Sequence, residues 1–202
     1  MTTELLLAFV TYAFVTSITP GPNNTMLLAS GLNHGFTRSL PHVFGISIGF
    51  ALMVMGVGAG LGQLFIAYPS LHVMLRIVGA AYLLYLAWQI ATAVPMQDAV
   101  ERGRPFGFWK AAGFQWVNPK AWIMAVGAIT TYVPNGGGMH AVMILSVVFA
   151  LVNAPSITLW VGFGTTLRRW LTDPRYLRMF NIAMAILLVL SLYPILFNVG
   201  NA

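Results

Sequence analysis

The chain contains no cysteine. Disulfides, thiolate metal sites and thiol redox chemistry are therefore excluded. Charge is nearly as scarce. Asp, Glu, Lys and Arg make up 7% of the 202 residues, against about 25% in an ordinary soluble domain. So few charges cannot cover a water-facing surface. Only four residues are acidic, and Glu4, Asp98, Glu101 and Asp173 all lie at or near the ends of apolar runs. The sequence shows no buried acid pair, histidine cluster or metal-ligand set, which argues against an intramembrane enzyme or a metal carrier. No cofactor and no metal are expected. The alternating short strands of a membrane β-barrel are also missing. Met1-Thr2-Thr3-Glu4 lacks the positive start of a signal peptide, and no small-residue cleavage site follows, so the first apolar run is expected to be retained.

What the chain has in excess is apolar surface, at 58% hydrophobic residues. Six apolar segments fall at roughly 5–32, 42–67, 71–93, 108–133, 139–163 and 178–198. Each is long enough for a span of about 20 residues. The expected fold is all-α: a single integral membrane domain over 1–202, with six transmembrane helices. The formal net charge of +6 does not point to nucleic acid. The basic residues sit in short connectors and form no patch interleaved with aromatics. Arg38, then Arg102, Arg104 and Lys110, then Arg168, Arg169, Arg175 and Arg178 all fall at the odd-numbered connectors. The positive-inside rule makes those connectors cytoplasmic and puts both termini outside. Arg76 and Lys120 fall inside spans.

The connector 94–107 divides the chain into repeat one, about 1–93, and repeat two, about 108–202. Three spans per half make the halves enter from opposite sides, the geometry of an inverted repeat. The first span of each half is interrupted. Thr19-Pro20-Gly21-Pro22-Asn23-Asn24 breaks one, and Gln115-Trp116-Val117-Asn118-Pro119-Lys120 breaks the other. Proline removes a donor and clashes with the preceding turn, and it pushes the residue before it off the helix. Broken backbone within a bilayer survives only where it is buried in protein or lines a wet cavity. Pro22 and Pro119 can each open a new helix at its first position, with Asn118 as a cap. Such helix starts expose N–H groups that suit a carboxylate. A pair of purely structural kinks is the competing reading.

Lys120 lies about 12 residues into its span, about 18 Å, near mid-membrane. A charge there costs roughly 3 kcal/mol or more and needs a partner or water. A substrate carboxylate fits, and so does a staple to carbonyls exposed near Thr19. Coupling to protons through Lys120 is open. Of His34, His42, His72 and His140, His42 is the best placed to titrate during transport, but a solvated or interfacial histidine is expected there. Asn23, Asn24, Gln115, Asn118, Asn153, Ser156 and Asn181 form a second tier, as substrate contacts or as glue between helices. Asn153-Ala154-Pro155-Ser156 is a candidate third break. Arg76 is expected to snorkel outward. Gly45-Ile46-Ser47-Ile48-Gly49 fits a hydrolase motif, but the motif needs a strand–turn–helix setting; with Gly56, Gly58, Gly60 and Gly62 it reads as a close-packing helix face. Asn23-Asn24-Thr25 fits a glycosylation sequon but lies at membrane depth.

Thr19-Pro20-Gly21-Pro22-Asn23, Asn118-Pro119-Lys120 and Gly79-Ala80-Ala81-Tyr82-Leu83-Leu84-Tyr85-Leu86 resemble the lysine exporter / homoserine-threonine exporter (LysE/RhtB) family, over essentially the whole chain. Asn23-Asn24, Ser30, Gly35-Phe36 and Leu86-Ala87-Trp88-Gln89-Ile90-Ala91-Thr92 look most like its cysteine/O-acetylserine exporter branch. The resemblance implies proton-driven efflux of amino acids or close derivatives across the bacterial inner membrane. The partners expected are a small amino-acid substrate, membrane lipid and, as an open option, a second copy in a homodimer. No acidic residue marks a pocket for a cationic side chain, which favours neutral substrates over basic ones. A structural or regulatory membrane subunit, or an exporter of basic amino acids, is the alternative. The candidate substrate site is Thr19, Pro20, Gly21, Pro22, Asn23, Asn24, Gln115, Asn118, Pro119, Lys120 and Asn153.

Overall fold

The computed structural model describes residues 2–61, 67–92, 105–133, 138–170 and 173–190. Among them are eight α-helices and no strand: α1 (Thr3–Ile18), α2 (Pro22–His34), α3 (Phe36–Gly56), α4 (Pro69–Ala91), α5 (Phe108–Gln115), α6 (Pro119–Tyr132), α7 (Gly138–Trp170) and α8 (Pro174–Leu190). Most of the connector 94–107, with Asp98, Glu101, Arg102 and Arg104, lies outside the described residues, as do Gly62 and the stretch 191–202. The side chains of His72, Arg76, Arg168 and Arg169 do too.

Two helical stretches, Phe36–Leu61 and Gly138–Leu167, are long and apolar enough to cross a membrane. The pair α1 and α2 makes a third if it is counted as one span bent by 57°. Ile77–Ala91 of α4 is apolar but shorter. The chain continues from α3 to Leu61 across a kink at Gly60, whose φ of 110° suits glycine.

The exterior is inverted relative to that of a soluble protein: it is apolar, while polar side chains lie buried among the apolar core. Leu7, Ile48, Ile77, Ile123, Leu151, Phe163 and Met179 all face outward, whereas Asn24, Asn33, His42, Gln115, Asn118, Asn153 and Asn181 are buried. That inversion is what a lipid-facing surface requires.

The long helices α3 and α7 cross at the centre, and the half-helices pack around them. α2 runs along α7, α3 lies on α5 and α7, and α4 packs on α8. Glycine sets how close α3 and α5 approach. A Cβ at Gly45 would strike Phe108 O and one at Gly49 would lie 2.5 Å from Ala112 Cα, so the glycine face of α3 is where α5 docks. An apolar cluster around Phe9, Phe50 and Phe149 closes one end, with Phe50 and Phe149 stacked edge-on at 4.7 Å. At another level Asn33 and Asn181 exchange a reciprocal amide pair, 3.0 and 3.2 Å, tying α2 to α8. Removing one partner leaves the other's oxygen without a donor, at a cost of about 1–3 kcal/mol. Asn181→Leu is expected to lower the melting midpoint in detergent, and adding Asn33→Leu to it should recover part of the loss.

The expected third break is not one. α7 runs continuously through Pro155. The Ser156 and Thr158 hydroxyls donate back to Val152 O and Ala154 O, at 2.7 and 2.6 Å. Such back-bonding helps membrane helices absorb an internal proline. His42 also departs from expectation. It is 1% exposed rather than solvated, and Phe106 packs against its ring at 5.0 Å.

Candidate functional site

Both interruptions are real, and they close their broken backbone in different ways. At the first, α1 ends at Ile18 and α2 begins at Pro22. Four successive carbonyls there are each satisfied by a side chain from elsewhere. Asn24 Nδ2 donates to Ser17 O and Thr19 O at 2.7 and 2.8 Å. Trp160 Nε1 donates to Ile18 O at 3.2 Å. Lys120 Nζ donates to Thr19 O and Thr19 Oγ1, both at 2.9 Å, and to Pro20 O at 3.3 Å. The second interruption closes on itself through tight turns. Trp116 N, Val117 N and Asn118 N donate to Gly113 O, Phe114 O and Gln115 O. Asn118 then caps α6, its Oδ1 accepting from Lys120 N at 3.2 Å, with Pro119 in the first turn.

The two breaks meet. Asn23 Nδ2 donates to Gln115 Oε1 at 2.8 Å, and Gln115 Nε2 donates back to Asn23 Oδ1 at 3.2 Å. Lys120 crosses from the start of α6 to the end of α1, where the helix dipole favours a cation. The staple reading of Lys120 is therefore present in this conformation. The start of α2 differs from that of α6, because no side chain caps it.

Between the breaks lies a cavity with about 20 Å³ of room for the centres of water molecules. That is space for one or two waters. The described conformation is too narrow at this point to hold an amino acid. Of the candidate residues, Gly21, Asn23, Asn24, Gln115, Asn118, Lys120 and Asn153 line the cavity. Thr19, Pro20, Pro22 and Pro119 do not; they shape the backbone, and Thr19 holds Lys120. Ser17 also lines the cavity and was not among the candidates. A lone serine in an apolar helix gives no signal in sequence. Phe50, Met124 and Ile157 supply apolar wall, and no acidic side chain is present in the lining.

Gly21 fits this arrangement by size. A Cβ there would lie 2.9 Å from Lys120 Cδ and 3.2 Å from Nζ. Gly21→Ala should fold, since the lysine chain is flexible, but should push Nζ off Thr19. Losing one charge-assisted hydrogen bond corresponds to roughly a tenfold effect. Efflux measured in proteoliposomes is expected to fall by about that factor with the yield of folded protein unchanged.

An apolar exterior around buried amides, with two interrupted helices abutting at a small polar cavity, defines a helical membrane protein. Residues 14–191 match the model of the LysE type translocator family, and the chain belongs to that family. Its relatives include proteins named cysteine/O-acetylserine efflux protein. The one from Salmonella choleraesuis (strain SC-B67) is 39% identical over 94% of this chain and 96% of its own length. The one from Escherichia coli (strain K12) is 37% identical over the same shares. No solved structure matches the chain significantly. As a member of a translocator family, the protein is a transporter and not an enzyme.

Proposed function

We propose that this protein exports small neutral amino acids or their close derivatives, of the cysteine and O-acetylserine type, from the bacterial cytoplasm by alternating access. The observation that carries the reading is the cavity between the Pro22 and Pro119 helix starts, lined by Lys120 and amides but by no acid. A zwitterion brings one carboxylate for the uncapped start of α2 and for Lys120. The apolar wall suits an uncharged side chain. A purely structural subunit would have no use for a polar cavity at this level.

The reading includes six spans in two inverted halves, about 1–93 and 108–202, with both termini outside. The matching positions of the two interruptions support the repeat, and the distribution of Arg and Lys supports the orientation. The narrow cavity is read as a state that widens during transport, with the reciprocal Asn23–Gln115 amide pair as a contact that opening breaks. The energy source is read as the proton gradient, with Lys120 the group that exchanges its proton.

The test is counterflow of labelled amino acids into proteoliposomes. Cysteine and O-acetylserine should exchange, and lysine and arginine should not. Rapid exchange of lysine with none of cysteine would overturn the substrate assignment. The proton route has its own check: a Lys120→Met variant whose residual transport kept full dependence on the pH gradient would remove Lys120 from it.

A further inference from the structure

Three residues that line the cavity each carry a buried oxygen with no hydrogen-bond partner: Ser17 Oγ, Asn24 Oδ1 and Asn153 Oδ1. Their residues are buried, at 4%, 3% and 4% exposure, and all three line the same cavity. Leaving a buried polar atom unmatched costs about 1–3 kcal/mol. Three around one small space is unusual enough to need an occupant.

The chemistry of that occupant is constrained. The orientation of the Asn24 amide is forced, because its Nδ2 donates to two backbone carbonyls, Ser17 O and Thr19 O. Its Oδ1 is therefore an acceptor and nothing else. Asn153 also presents an unmatched amide oxygen. Ser17 Oγ makes no bond to either, so the three do not satisfy one another. A carboxylate would be repelled by the amide oxygens. A water that accepts from Ser17 Oγ and donates to both amide oxygens would match the three when no substrate is bound, and a substrate group that displaces it must donate to the same amide oxygens. An alkylammonium has three N–H donors.

We propose that Ser17, Asn24 and Asn153 form the subsite for the α-ammonium group of the substrate. This rests on the exporter reading and adds polarity to it: the ammonium goes to this oxygen triad, and the carboxylate to the start of α2 and Lys120. Lys120 cannot fill the triad itself in the described state, because its ammonium is held by Thr19 and Pro20.

The test compares L-cysteine with 3-mercaptopropionate, which keeps the carboxylate and thiol but lacks the ammonium. The chain has no cysteine, so a reducing buffer leaves the protein unchanged. Each compound is titrated against counterflow of labelled cysteine and against thermal stabilisation in detergent. The proteins compared are the wild type, Ser17→Ala and Asn153→Leu; Asn24 is left intact because it also holds the break. In the wild type the ammonium-free compound should bind at least about tenfold more weakly, the size of one charge-assisted hydrogen bond. In the variants cysteine should weaken by about that factor while 3-mercaptopropionate holds its wild-type value, which also shows that the site is folded.

Equal weakening of both compounds, or no change in either, would overturn the subsite. Dependence of wild-type counterflow on sodium that disappears in Asn153→Leu, with the ratio of the two compounds intact, would reassign the oxygens to a metal cation and overturn it too. Absence of counterflow of any amino acid by the wild type would sink the exporter reading and this subsite with it. Counterflow with an unchanged ratio in the variants would sink the subsite alone.

Discussion

Lys120→Met is expected to cut efflux on the order of a hundredfold while leaving a folded, membrane-inserted protein. The lysine spans the gap between the interrupted helices, donating to Thr19 O, Thr19 Oγ1 and Pro20 O. Charge-assisted hydrogen bonds are worth about 1.5–3 kcal/mol each, and each 1.4 kcal/mol is a factor of ten. Methionine keeps the length of the stem and removes every donor. The fold should survive because Thr19 O still accepts from Asn24 Nδ2, and Ile18 O from Trp160. Lys120→Arg should recover only part of the activity. Its planar fork cannot reproduce the compact donor that reaches two oxygens of one threonine. Efflux from loaded proteoliposomes, normalised to monodisperse protein, checks both variants. Near-normal transport by Lys120→Met would leave the residue as a staple with no part in the site.

Gly164→Ala is expected to do the opposite and remove the folded protein. α2 and α7 cross with backbone against backbone. A Cβ at Gly164 would collide with Leu28 O and lie 2.9 Å from Leu32 N. From the other side, a Cβ at Gly31 would collide with Val161 O and lie 3.1 Å from Val161 Cα. These obstacles are main-chain atoms of helices, which cannot rotate away as a side chain can. Overpacking against side chains typically costs about 1–3 kcal/mol. Forcing two helix backbones apart should exceed that, against a total stability of only about 5–15 kcal/mol. The effect should spread to the site, because α2 carries Asn23 and Asn24 while α7 carries Asn153. Size-exclusion profiles and melting curves in detergent should show loss of the monodisperse species for Gly164→Ala and Gly31→Ala. Gly162→Ala, with open space at its Cβ position, is the control and should behave as wild type.

The parts of the site legible in sequence were those fixed by covalent chemistry or by charge. Proline cannot donate or continue a helix, so Pro20, Pro22 and Pro119 announced both interruptions. Lysine at mid-span cannot sit in lipid unpartnered, so Lys120 announced an interior. Asn118 announced a cap by standing before a proline. The rest depended on contacts between distant residues. Ser17 became part of the cavity because α2 turns from α1 by 57° and sets Asn24 against the end of α1. His42 is buried, with Phe106, more than sixty residues on, packed against its ring. Pro155 looked like Pro22 in sequence, yet two hydroxyls in the following turn bond back along α7 and leave it continuous. The glycine face of α3 was legible as close packing, but not that α5 is what it receives.

The sharpest measurement uses the absence of native cysteine. Single substitutions Met124→Cys, in the cavity wall, and Ile123→Cys, on the outward face at 74% exposure, differ by one residue along α6. Each is exposed to a small water-soluble thiol reagent with and without O-acetylserine, a substrate candidate that carries no thiol. If the two interrupted helices enclose a water-reachable pocket for a zwitterion, Met124→Cys is labelled and O-acetylserine slows the labelling several-fold, while Ile123→Cys shows no such protection. Labelling at position 124 that ignores O-acetylserine and every other amino acid tried, or no labelling there at all while efflux is intact, would contradict the account.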